Sequence, residues 1–211
     1  MENFDFEFID IDEKNNDDID ILFQQKYKKD PFMSVSQSFT QSLIKQKEVG
    51  CISMIAETPI LACSAISIKF AAYDEYLSSF LKYFPASSAL LHNNSVLLLE
   101  SLRAFNLPMQ AVLAGYQCVF EDLKWVQSNE YNSTIKKDFF NCDFYWIIAS
   151  CKNNGKQIEL ESLKQIEVAD IMEISKYQKL YKKCGFDEND GIISLLVERN
   201  KLEKLIYKLS Q

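Results

Sequence analysis

Residues 166–186 read IEVADIMEISKYQKLYKKCGF. Residues 164–168 are too short for a helix and fit a strand. Asp170 is a good N-cap, and Glu173 stands three residues on, the capping-box spacing in which two orphan backbone donors are satisfied reciprocally. Ile171, Ile174, Tyr177, Tyr181 and Cys184 then step by three and four, so they share one helical face. Gly185 ends that helix, and residues 192–209 read as a second one with Leu195, Leu202, Leu205, Ile206 and Leu209 inward. The order strand, helix, helix sets the fold class, because the chain begins in the same way.

At the start, FDFEFIDID alternates Phe4, Phe6 and Phe8 with acids, the period of a half-buried strand. Ile19, Leu22, Phe23 and Tyr27 follow at helical spacing up to Asp30-Pro31, where proline disfavours a continued helix. A second amphipathic helix over 34–47 carries Val35, Phe39, Leu43 and Ile44, with Gly50 as its stop. CISMIAE and ILACSAISIKF, separated by Thr58-Pro59, read as a hairpin. Residues 72–84 read as a helix closed by Pro85, and SSALLHN as a short buried strand. Ser95 is placed as the cap of a helix carrying Leu98, Leu102 and Phe105. MQAVLAG reads as a strand leaving at Gly115, followed by a helix over 117–128. DFYWIIASC is an aromatic, β-branched strand, and NNG at 153–155 a turn into another. The expected class is α+β, with a central mixed sheet and helices packed on it. Two units are expected, over 1–152 and 156–211.

Composition narrows the function. The chain has 211 residues, 47% of them hydrophobic and 25% charged, with a formal net charge of -7. A net negative surface repels phosphate backbones, which argues against nucleic acid as a partner. The basic stretch around Lys176, Lys179, Lys182 and Lys183 does not make a helix-turn-helix: Glu173 stands where the turn glycine belongs and Lys179 where an apolar residue belongs. No apolar run approaches the length of a membrane span, and the acidic start is no secretory leader. Cysteines 51, 63, 118, 142, 151 and 184 form no CxxC pair and sit in apolar runs, as expected of buried thiols in the cytoplasm. The acidic run from Asp10 puts Lys14, Asn15 and Ile21 at the fifth, sixth and twelfth places of a calcium loop, which fails that pattern. His92, the single histidine, reads as a strand-end or core residue, and Trp125 and Trp146 as core.

The stretch at 166–186 resembles the opening of a GNAT-type N-acetyltransferase domain, at Asp170, Glu173, Ile174, Gln178, Lys179 and Tyr181. AVLAGYQCVFEDL (111–123) and DFYWIIAS (143–150) look like parts of the extra N-terminal domain that precedes it in one subgroup. The resemblance implies a GNAT-like accessory domain followed by the start of a second GNAT domain. It implies acetyl-CoA only if a complete acetyltransferase domain lies elsewhere. Such domains hold the pyrophosphate on a loop of the type [RQ]-x-x-G-x-[GA] at a helix N-terminus, and none of the five glycines (50, 115, 155, 185, 191) is followed two residues later by Gly or Ala. The expectation is that the chain stops before such a surface is built.

Two functions stay open. One is an accessory or regulatory module that binds a protein partner, a ligand or a catalytic domain. The other is an enzyme or small-molecule-binding protein with a crevice at the Gly115 turn, where Gly115, Tyr116, Glu121 or Asp122 would meet the ligand. No catalytic, cofactor or metal residue is assigned. Self-association is expected, because the last helix pair would expose an apolar face.

Overall fold

The computed structural model describes residues 6–27, 32–69, 74–84, 95–104, 107–128, 137–150, 181–187 and 192–210. Its elements are β1 (Glu7–Asp10), α1 (Asn16–Lys26), α2 (Ser36–Lys45), β2 (Gly50–Ile55), β3 (Thr58–Ser67), α3 (Glu75–Tyr83), β4 (Val96–Arg103), α4 (Met109–Gln127), β5 (Phe144–Ser150), β6 (Tyr181–Asp187), β7 (Ile192–Glu198) and α5 (Arg199–Leu209). The strands form one seven-stranded sheet in the order β1-β2-β3-β4-β5-β7-β6. The expected α+β class, a mixed sheet with helices packed on it, is what the chain forms. Segments on both sides of residue 152 contribute strands to that sheet.

Neighbouring strands are antiparallel except β4 and β5. A parallel pair needs a crossover, and α4 lies in the connection that makes it. The β4–β5 ladder holds only Val96, Leu97 and Leu98 against Phe144, Tyr145 and Trp146. Beyond it β4 stays paired to β3 and β5 to β7.

Alternate residues of each strand feed two cores. On one face α1, α2 and α3 lay down Phe23, Phe39, Tyr76 and Phe80 over Ile66, Leu98 and Trp146. The rings meet at aromatic packing distances, with Phe23–Phe39 centroids 4.6 Å apart and Phe32–Phe80 5.0 Å, which adds to the area they bury. On the other face α4 and α5 cover Cys63, Leu97, Leu99, Tyr145 and Val197 with Val112, Val119, Phe120, Leu202 and Ile206.

This two-sided burial explains the misread elements. The run VLLLESLR is the strand β4, not a helix capped by Ser95. Seven of its eight residues are buried, so no polar face marks a period of two, and a continuous apolar run reads equally as helix. Residues 192–198 are likewise a strand, and only 199–209 are helical. MQAVLAG is no strand: it opens the 19-residue helix α4, which runs unbroken through Gly115. Gly50 does not stop α2, which ends at Lys45; it starts β2. Thr58-Pro59 begins β3, and the hairpin turns on Ala56 and Glu57, both at positive φ (47° and 64°), as a two-residue primed turn requires. Tyr181 and Cys184 lie in strand β6, where a helix is expected. The strands expected at 87–93 and 164–168, the turn at 153–155, the helix over 171–180, and His92 lie outside the described residues. The apolar face expected to be exposed on the last helix is covered: Leu202, Leu205 and Ile206 of α5 are buried.

Candidate functional site

A groove of about 770 Å³ opens where the edge strand β1 meets α4. Phe8, Ile9 and Asp10 of β1, with Ile11 and Asp12 beyond it, form one wall. Lys47, Glu48 and Gly50 form the floor, Lys14 closes one side, and Asp122 and Trp125 come down from α4. Four carboxylates (Asp10, Asp12, Glu48, Asp122) face two ammonium groups (Lys14, Lys47), so the groove is net negative, like the chain.

Its geometry follows from local chemistry. Asp12 caps the turn at 13–15: its Oδ1 accepts from the Glu13 N–H at 2.6 Å, and the Asp12 N–H donates to Asn15 Oδ1 at 3.2 Å. That box fixes where β1 leaves the sheet. Gly50, at φ +150°, lets the floor approach the wall, since a Cβ there would sit 2.7 Å from both the Cys63 carbonyl oxygen and Ile11 Cδ1. Its N–H donates to Asp122 Oδ2 at 3.0 Å, tying floor to helix. Trp125, one turn beyond Asp122, is 49% exposed; it is not the core residue its aromatic character suggests. Trp146 is core, and its Nε1–H donates to Ser194 Oγ at 2.6 Å.

Burial pushes the Asp122 carboxyl up to about 6, with the Gly50 N–H opposing and Asp10 and Glu121 adding repulsion. The sign follows from proton counting. Between the ordinary carboxylate value and about 6 the folded chain holds a proton that the unfolded chain has released. Asp122 therefore lowers stability as pH rises through that window. The shift, discounted for a partly exposed group, is worth about 1 kcal/mol. Asp122→Asn, which keeps an acceptor for Gly50, is expected to raise the unfolding free energy by about that much at pH 7.5 and by little at pH 4.5, as read by urea titration at both pH values.

The expected ligand residues separate. Gly115 is buried inside α4, where a Cβ would lie 2.8 Å from Cys63 Sγ, so no strand-to-helix turn exists there. Tyr116 is 5% exposed, its ring stacked near Phe120. Glu121 is exposed, and Asp122 alone among the weighed residues lines the groove. The β1 wall, Gly50 and Trp125 escaped sequence reasoning; an exposed tryptophan one turn from a carboxylate was the available signal. Among the described residues no group of three His, Cys, Asp or Glu side chains could hold a metal ion, and no helix is long and apolar enough to cross a membrane.

The BCCIP family profile matches residues 1–195. The chain belongs to the BCCIP family. No curated protein sequence matches the chain. Among solved structures it is similar to BCP1 from Saccharomyces cerevisiae, with a TM-score of 0.63 and 18% identity over all of this chain and 90% of that one. The diaminobutyrate acetyltransferase EctA from Paenibacillus lautus gives a TM-score of 0.53 at 7% identity, over 93% of this chain and 96% of the other. The loading GNATL domain of CurA from Lyngbya majuscula gives 0.53 at 10% identity, over 93% and 99%.

These findings correct the GNAT assignment. The BCCIP profile spans nearly the whole chain, and the likeness to acetyltransferases is one of fold alone. The quoted residues fail as well: 111–123 lie in one helix rather than a strand–glycine–helix unit, and Tyr181 lies in a strand.

Proposed function

We propose that this BCCIP-family chain is a regulatory, protein-binding module that works without acetyl-CoA, and that the β1–α4 groove receives an extended, lysine- or arginine-bearing segment of its partner. The groove's excess of carboxylates around an exposed tryptophan carries the reading. Among the described residues β1 ends the sheet and no strand lies along its outer N–H and C=O groups, the arrangement to which an extended peptide adds. Asp10, Asp12 and Glu48 would take the cationic heads, and the Trp125 ring would take a guanidinium or ammonium over its face. The absence of a glycine-rich pyrophosphate loop from the sequence supports a role without coenzyme A.

A peptide of alternating arginine and threonine, titrated into the full chain, tests this. Isothermal titration calorimetry reads binding by wild type and variant alike, and Trp125 fluorescence follows it in the wild type. Saturable binding that weakens with added salt is expected, along with a loss of roughly 30-fold in affinity for Trp125→Ala, the scale of a central aromatic anchor. An alternating glutamate–threonine peptide should not bind. Equal binding of both peptides, or no effect of Trp125→Ala, would refute the reading.

A further inference from the structure

The hydrogen-bond phase of the sheet runs from its centre to its open edge. The Ala104 N–H donates to the Ile60 carbonyl at 2.8 Å, one step outside the register pair Leu61–Arg103. Antiparallel ladders alternate pairs that exchange both hydrogen bonds with pairs that exchange none. Leu61 and Cys63 therefore turn their backbone groups to β2 rather than β4. Cys51, the partner of Cys63, turns its own to β3, so Ile52 turns to β1 and meets Ile9. The open edge then carries the N–H and C=O groups of Phe8 and Asp10.

Side chains follow the same order. Phe8 and Asp10, two apart, lie on one face of β1. It is the face under α4, because Phe8 packs on the core that α4 covers and Ile9 on the other. α4 crosses this face from β3 toward the edge. A Cβ on Gly115 would touch Cys63 and Leu61, the Gly115 carbonyl accepts from the Cys51 thiol at 3.7 Å, and Asp122 accepts from the Gly50 N–H at 3.0 Å. Trp125 stands one turn further on. The helix thus passes β2 from residue 51 to 50, and β1, antiparallel to it, from Phe8 through Asp10 toward Asp12. A segment in the groove meets Phe8 at one end, Asp10 and Asp122 in the middle, and Asp12 with Trp125 at the other.

We propose that the bound segment runs antiparallel to β1 and reads, from its N-terminus, cation, any residue, cation, any residue, apolar residue, with Asp10 and Phe8 setting that order. This rests on the β1–α4 groove being the docking site for the partner. Antiparallel pairing uses both edge positions at once. Residues opposite Asp10 and Phe8 each exchange two backbone hydrogen bonds, a pairing slightly more stable than the slanted bonds of a parallel strand. Their side chains point to the α4 side, as those of their partners do. The residue opposite Asp10 also faces Asp122, so it is cationic; the residue opposite Phe8 is apolar. Two places toward the segment's N-terminus, a second cation reaches Asp12 and the Trp125 ring. The intervening residues point to the other face of the sheet and carry no requirement.

Two end-blocked peptides of one composition test the order: Thr-Arg-Thr-Arg-Thr-Ile-Thr and its reversal, Thr-Ile-Thr-Arg-Thr-Arg-Thr. Calorimetry on the full chain is expected to show the first binding at least ~10-fold tighter, the scale of two matched cross-strand pairs. Asp10→Asn, at an exposed position, should cut that preference to about 3-fold or less. On binding, amide exchange should slow at Phe8 and Asp10 and not at Ile9, whose N–H already faces β2. Equal binding of the two peptides, with both lost in Trp125→Ala, would overturn the order while leaving the groove as the docking site. Tighter binding of the reversed peptide, or slowing at Ile9 alone, would overturn it as well. If neither peptide binds, the docking site itself falls and the order with it.

Discussion

Replacing Glu100 by alanine is expected to lower the unfolding free energy by about 3–5 kcal/mol, the scale at which a buried ion pair fails when one partner is removed. Glu100 sits on β4 under α1 and is 1% exposed; the side chain of its partner Lys26 is 3% exposed. The Tyr27 hydroxyl donates to Glu100 Oε2 at 2.9 Å, the Ser101 N–H donates to Oε1 at 3.2 Å, and Lys26 also donates to the Ser101 carbonyl at 3.2 Å. Alanine leaves the Lys26 ammonium and the Tyr27 hydroxyl in a dry core without that acceptor, and desolvation of an uncompensated charge dominates. A triple variant, Lys26→Met with Tyr27→Phe and Glu100→Leu, removes all three polar ends together. It should recover most of the loss, because the pair's attraction does little more than offset its own desolvation. Chemical denaturation of the single and triple variants checks both statements. A single variant within 1 kcal/mol of wild type would mean that the pair is not buried as described.

Gly50→Ala is the second large effect, with an expected loss of about 3 kcal/mol. The added Cβ meets the Cys63 backbone oxygen and Ile11 Cδ1 at 2.7 Å and Ser64 Cβ at 2.9 Å. A backbone atom in a central ladder cannot step aside as a side-chain end can, and φ +150° is itself strained for a residue with a Cβ. Gly115→Ala offers the comparison. Its clashes are with Cys63 Sγ and Leu61 Cδ2, both side-chain atoms, and alanine gains about 1 kcal/mol of helix propensity over glycine. Its net loss should be roughly half that of Gly50→Ala or less, as read from paired melting curves.

How legible each element was depends on how it is buried. β1, α1, α2, the β2–β3 hairpin and α3 carry their period in the sequence, since each has one polar side or a clear turn; β5, buried on both faces, is legible from its aromatic and β-branched residues instead. β4 and β7 lie between helical layers and have no polar side, so Leu98 and Leu102, four apart, imitate a helix. α4 hides its period at its start because Ala111, Ala114 and Gly115 are small where it presses on β2 and β3. The capping box at Asp170 and Glu173 is a local signal, and it outweighed the non-local fact that 181–187 pair with β7. The groove suffered for the same reason. It joins Phe8 to Trp125, and no local pattern connects residues so far apart. Asp122 was singled out for a turn that does not exist, yet it lines the groove through its bond to Gly50.

The reading stands on where a cationic, extended segment docks. Backbone amide shifts of the labelled chain, followed as the arginine–threonine peptide is added, measure this directly. The account predicts that the largest changes fall on residues 8–12, 47–50 and 122–125, with slowed hydrogen exchange at the outer edge of β1. Changes centred on the opposite edge, at β6, with residues 8–12 unmoved, would contradict it.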